Sequence, residues 1–239
     1  VRGTRNVLAA ARMARIERTV YTSSVAAIGT GMAGECVDES FQRPYGSLIG
    51  AYKKSKYFAE QEAYAAVGGG QDIVIVNPTT PLGAWDSKPT PTGDMILRFM
   101  RRGMPVYVDT ALNFIAVRDV AWGHLLALRK GVTGRRYILG CQNMSLKAFL
   151  EMLSDVTGLP SPRSAIPIWL PLCAAWTDEK LLAPILRRPP SLPLDGVRMS
   201  RSPMRYDCSR AVDELGLPQT SIRVAVEERS EEHTSELQS

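Results

Sequence analysis

Apolar positions along this chain follow two spacings, and the switches between them mark its elements. In residues 1–14, Val7, Leu8, Ala11 and Ala14 recur at helical intervals with charges between them, which predicts an amphipathic helix. Residues 18–24 (Arg-Thr-Val-Tyr-Thr-Ser-Ser) then read as a short buried strand ending in small polar groups. Residues 29–47 are rich in Gly, Ser, Pro and acidic side chains and predict a loop. Residues 51–66 predict a helix with Tyr52, Lys56 and Glu60 on one face, stopped by Gly68, Gly69 and Gly70. Residues 72–77 (Asp-Ile-Val-Ile-Val-Asn) form a β-branched run of the kind found in parallel sheets covered on both faces. Four prolines between 78 and 91 predict a loop beside a site.

Further on, the pattern predicts helices at 95–102, 120–130 and 145–157, the last started by Ser145 as N-cap and stopped at Gly158. Extended segments are expected at 105–109, 113–117 and 136–139. From 161 the chain is Pro-rich and less regular, with a short helix at 209–215. Strands alternating with helices predict an α/β fold built on a doubly wound parallel sheet. The alternation fades near 145, so residues 1–145 are expected to form the sheet domain and 146–228 a smaller C-terminal lobe.

Composition narrows the class. The chain has 239 residues, 45% of them hydrophobic, enough for a sizeable core. No apolar run reaches the roughly 18 residues of a membrane span; residues 165–176 come nearest and are broken by Pro167 and Pro171. Residues 229–239 (RSEEHTSELQS) read as a translated sequencing adapter and are set aside as an artefact, which moves the net charge from +5 to +7. With no initiator Met and a first residue already inside a helix, the chain is expected to be a fragment. Its basic residues are scattered, with short clusters such as Arg135-Arg136, and no aromatics interleave with them, so no nucleic-acid partner is expected.

Cys36, Cys141, Cys173 and Cys208 show no metal-ligand spacing, and four scattered thiols without a secretory signal fit a cytoplasmic protein. Any Ser-His-Asp triad would have to use His124, which falls in a helical, mostly apolar stretch and reads as structural.

The chemistry sits in two short motifs. Ser23 and Ser24 end a strand, where open α/β sheets bind ligands. Tyr52 and Lys56 stand four apart on a helix and share a face. A neighbouring cation favours phenolate over phenol, as a tyrosine needs in order to exchange a proton near neutral pH. A serine hydroxyl, Ser24 in preference to Ser23, can hold the substrate oxygen on which that tyrosine acts.

Taken together, these motifs resemble the extended short-chain dehydrogenase/reductase family of NAD-dependent epimerases, dehydratases and dihydroflavonol-reductase-like enzymes. Asn77-Pro-Thr-Thr-Pro-Leu-Gly is similar to its nicotinamide-side loop, and Asn113-Phe-Ile-Ala-Val-Arg-Asp-Val-Ala-Trp-Gly-His to its late strand-to-helix motif, where Asp119 is structural. Residues 89–93, 108–113, 137–140 and 195–199 are similar to the hopanoid-associated sugar epimerase branch.

The resemblance implies a Rossmann-type domain, catalysis by Ser24, Tyr52 and Lys56, and cofactor contacts from Tyr52, Lys56, Asn77, Pro78 and Thr79. It also implies substrate contacts from Ser24 and Asn113, a sugar-nucleotide or related small-molecule substrate, and NAD or NADP as cofactor. The family's Gly-rich phosphate-binding turn is absent from this chain, so roughly 100 residues of its first βαβ units are expected to be missing. A homodimer and peripheral membrane contact are compatible with it, and a non-catalytic binding protein of the same fold is the alternative. Lys88 and Arg98 read as solvated charges, with a phosphate contact as the alternative. Trp169, Trp176 and Met199 read as core, while the apolar stretch 166–185 has contact with a lipid-like substrate or a membrane as its alternative.

Overall fold

The computed structural model describes the chain apart from residues 33, 42–45, 47, 49, 87–89, 103, 191–193 and 239, and apart from the side chains of 91, 102, 199 and 231–238. Helix α1 (Arg2–Met13) leads into β1 (Thr19–Thr22), α2 (Val25–Ile28) and α3 (Gly50–Gly68). Strands β2 (Ile73–Pro78) and β3 (Thr80–Leu82) precede α4 (Pro91–Arg102), β4 (Val106–Val108) and β5 (Ala111–Ala116). Then come α5 (Val117–Lys130), β6 (Arg136–Leu139), β7 (Gln142–Ser145), α6 (Leu146–Thr157) and β8 (Ser164–Ile166). The last part holds α7 (Trp169–Thr177), a wide π-type turn (Asp178–Leu182), α8 (Ala183–Ile185), α9 (Leu194–Met199), a second π-type turn (Ala211–Leu215) and α10 (Ile222–Gln238).

The central sheet is parallel, in the order β1-β2-β6, with Val20 opposite Val74 and Val76 opposite Tyr137. Every residue from Ile73 to Val76 is buried, as the β-branched run predicts. β1 differs from expectation. It borders the sheet, and its four residues are half-buried to exposed rather than buried.

A second sheet, β3-β5-β7, contains the antiparallel pair β5–β7, so the strands are not all parallel; β4 and β8 form a third, parallel pair. β3 lies inside the proline-rich segment expected to be a loop. There Pro81 pairs with Ile115 as an edge residue, a place where a missing N–H is tolerated.

The apolar core crosses position 145. Phe114 stacks on Phe149 at 4.4 Å between ring centres, and Ile222, Ala225 and Val226 pack into the same cluster. Ala211, Leu215 and Leu217 return to cover Val74 and Val76. Residues 229–238 continue α10, with Arg229 buried. Ser145 caps α6 by accepting from Ala148 N, and Gly158 ends it at φ 71°, as the sequence predicts. Among the described residues no helix is long and apolar enough to cross a membrane.

Candidate active site

Ser24 stands where β1 gives way to α2. Its hydroxyl accepts from Ala26 N at 3.2 Å, so the serine expected to hold a substrate oxygen also N-caps a one-turn helix. α2 packs against α3, which carries Tyr52 and Lys56. The Tyr52 ring is 55% exposed, and the Lys56 ammonium lies 5.9 Å from its centre, in cation–π range. The helix therefore delivers the shared face that the i, i+4 spacing predicts.

The same face turns inward one turn later. Glu60 is buried and takes 2.8 Å from Asn77 Nδ2 and 3.1 Å from Arg136 Nη1. Asn77 Nδ2 also donates to the Ser24 carbonyl at 3.0 Å. Arg136 completes the network through the carbonyls of Glu39 and Phe41, each at 2.7 Å. Glu39 in turn accepts from Ile138 N at 2.9 Å, and burial pushes its carboxyl above the usual range. One chain of buried polar contacts thus links the serine, strands β2 and β6 and the Tyr–Lys helix.

Arg136 corrects the sequence reading. It is buried, at 9% exposure, and not part of a solvated surface cluster. Its position at the head of Arg-Tyr-Ile-Leu, an otherwise apolar strand, was the available signal: a charge there needs a buried counter-charge.

Two polar atoms beside this network have no hydrogen-bond partner, Ser23 Oγ and Asn77 Oδ1, and both residues are buried. They lie at the carboxyl ends of adjacent strands, where a parallel sheet presents its ligand site. Pro78 ends β2, and Thr79 continues the strand by bonding the Leu139 carbonyl at 3.0 Å.

The Asn113 side chain bonds Asn143, Tyr206 and Cys141 rather than members of that network. Its amide donates to Asn143 Oδ1 at 3.0 Å and accepts from Cys141 N at 3.2 Å, so its polar atoms tie β5 to β7. Thr79 and Asn113 meet across Gly140. A cavity of about 590 Å³ is lined by Cys36, Asp38, Cys141, Asn143 and Asp207 among others, not by Ser24, Tyr52 or Lys56.

The remaining residues are placed as follows. Asp119 is structural, bonding Thr220 through both carboxylate oxygens at 2.7 and 3.0 Å. His124 bridges the Val120 carbonyl and Thr22 Oγ1. Arg98 pairs with Asp94 at 2.7 Å. All four cysteines are free, and the described residues contain no group of three or more His, Cys, Asp or Glu side chains placed to hold a metal ion. Lys88 and the Met199 side chain lie outside the described residues. Trp169 and Trp176 are more than half exposed, which corrects their reading as core.

The parallel sheet with helices returning over it defines a Rossmann-type α/β protein. Residues 1–140 match the model of the NAD dependent epimerase/dehydratase family, and the chain belongs to that family. It is 63% identical over 230 residues to a protein of Synechocystis sp. named "Putative dihydroflavonol 4-reductase", covering 95% of this chain and 67% of that one. It is 34% identical to Sterol demethylase protein B of Methylococcus capsulatus, covering 93% of this chain and 68% of that one. Among solved structures, gox2253 superimposes with a TM-score of 0.84 at 38% identity, over 98% of this chain and 71% of that one. The chain therefore spans about two thirds of the length of the relatives it matches.

Proposed function

We propose that the protein is a nicotinamide-dependent oxidoreductase or epimerase acting at a hydroxyl or carbonyl carbon, and that Tyr52 moves the proton. The reading rests on one observation: the Lys56 ammonium over the Tyr52 ring, on a solvent-facing helix turn packed beside the Ser24 turn.

In this reading Tyr52 takes the proton from a substrate hydroxyl while that carbon loses hydride, and gives it back in the reverse direction. Ser24 donates to the same oxygen and orients it. Lys56 keeps positive charge beside the phenol oxygen. Tyr52, Lys56, Asn77, Pro78 and Thr79 would hold the nicotinamide end of NAD or NADP. The unpartnered Ser23 Oγ and Asn77 Oδ1 fit that role, since both are polar atoms at the strand ends where such a ligand docks. Once bound, the nicotinamide supplies the hydride acceptor or donor.

In this reading the substrate is a sugar nucleotide or a related small molecule. The 34% identity to Sterol demethylase protein B, over nearly the whole chain, favours a second reading in which the hydroxyl sits on an apolar ring system. Turnover is followed by nicotinamide absorbance with UDP-sugars and with sterol-like alcohols, after nucleotide binding has been checked by fluorescence quenching. Tyr52→Phe should bind nucleotide normally and lose about 10²- to 10⁴-fold in kcat. A Tyr52→Phe protein turning over at the parent rate would remove the mechanism. Nucleotide binding without turnover on either panel would favour the binding-protein alternative.

A further inference from the structure

We propose that the outward face of α7 and α8 docks on an anionic lipid bilayer. Helix α7 is apolar on both sides. Its inner side, with Ile168, Leu172 and Ala175, packs on Leu194 and Val197 of α9. Its outer side continues through the π-type turn into α8 and presents Trp169, Trp176, Leu181, Leu182, Ile185 and Leu186 to solvent, Ile185 at 74% exposure. A helix that is apolar all round is normally covered on every side. Contiguous exposed apolar area of this kind marks a contact surface.

Charge selects the occupant. Residues 161–205 hold seven basic and three acidic side chains. The acids face inward or are engaged: Asp178 is buried and paired with Arg188, Glu179 accepts from Leu194 N and sits 3.5 Å from Lys180, and Asp195 is paired with Arg198. Lys180 and Arg187, next in sequence to the exposed Leu181 and Leu186, are exposed, as is Arg201. The surface thus combines an apolar centre, two half-exposed tryptophans and a positive rim. That composition suits an anionic headgroup layer, into which tryptophan rings settle and towards which lysine and arginine are drawn. A second copy meeting this face about a two-fold axis would bring its own Lys180 and Arg187 against the first. The proposal does not depend on the chemistry at Tyr52.

The test is co-sedimentation of the 239-residue chain with phosphatidylcholine vesicles, and with vesicles in which about a third of the lipid is phosphatidylglycerol. Binding should require phosphatidylglycerol and weaken at high salt. Trp176→Glu/Ile185→Glu should abolish it while the thermal melt stays unchanged, because both residues are exposed. Lys180→Gln and Arg187→Gln, which leave the apolar face intact, should each weaken it about fivefold. Binding that is indifferent to these substitutions, or no binding by a chain with a normal melt, would overturn the proposal. So would sedimentation velocity without lipid showing a dimer that Ile185→Glu dissociates, since the face would then belong to a second copy.

Discussion

The Asn77 side chain donates to the main-chain carbonyl of Ser24 at 3.0 Å, so the end of β2 holds the turn on which the candidate serine stands. The same nitrogen donates to Glu60 at 2.8 Å, which makes Asn77 the joint between the serine turn and the Tyr–Lys helix. Asn77→Ala removes both bonds in a fully buried setting and should cost about 1–3 kcal/mol in urea unfolding. Asn77→Asp keeps the shape but replaces the donor with a second carboxylate against Glu60. It should be the more damaging change at pH 7 and recover partly in acid, where one carboxyl can carry the missing proton. Equal losses for the two variants at every pH would contradict the assigned orientation of the amide.

Glu60 and Arg136 form a nearly dry ion pair, with side chains 2% and 10% exposed. Removing one partner leaves the other charged and buried, so Glu60→Leu or Arg136→Met should each cost about 3–5 kcal/mol. The double variant Glu60→Leu/Arg136→Met should cost less than the sum of the singles, with a coupling of about 0.5–3 kcal/mol in a double-mutant cycle. It will not be neutral, because Arg136 also satisfies the carbonyls of Glu39 and Phe41. Strict additivity would mean that the pair contributes nothing as a pair.

Much of this architecture is legible in the sequence because it follows from local periodicity. The Ile73–Val76 run, the i, i+4 stripe of α3 and the Ser145 cap each state their structure within a few residues. What the sequence leaves out depends on partners distant along the chain. β7 is four residues long, polar at Gln142 and Asn143, and is a strand only because β5 pairs with it. β3 is hidden by its prolines. Glu60 is identifiable as a face-mate of Tyr52 and Lys56, yet nothing nearby tells that Arg136, 76 residues on, enters the core to meet it. The half-exposed tryptophans of α7 read as core because an apolar residue in a sequence does not reveal whether anything covers it.

Burial holds the Glu39 carboxyl above its ordinary range, against the opposing pull of the Ile138 N–H and of Arg210 at 3.7 Å. A carboxyl whose folded value is raised destabilises the fold when ionised. Its penalty is in force above the folded value and is relieved as pH falls through that value towards the unfolded one. Glu39→Gln keeps an oxygen to accept from Ile138 N and carries no charge to desolvate. It should melt higher than the parent at pH 7 to 8, and the advantage should vanish near pH 4. An advantage that persists unchanged at pH 4 would place its origin elsewhere.

Gly140 joins β6 to β7 at the point where three candidate elements converge. A Cβ built there would lie 2.3 Å from Asn113 Oδ1, 2.5 Å from Cys208 Sγ and 2.9 Å from Thr79 Cγ2. None of the three can yield easily. Asn113 is held by Asn143 and by the Cys141 N–H, Cys208 is buried, and Thr79 is fixed by the Leu139 carbonyl. Gly140→Ala should therefore cost about 1–3 kcal/mol. At this chain length that corresponds to roughly 2–4 °C of Tm per kcal/mol. Because Thr79 is among the displaced groups, the same variant should weaken nicotinamide nucleotide binding, whereas Gly3→Ala, with nothing within 4 Å in an exposed helix, should leave binding alone and add about 1 kcal/mol of stability. If Gly140→Ala melts with the parent, the convergence of β2, β5 and β6 at this residue is looser than the geometry requires. If it melts lower but binds nucleotide as the parent does, Thr79 does not border the nucleotide.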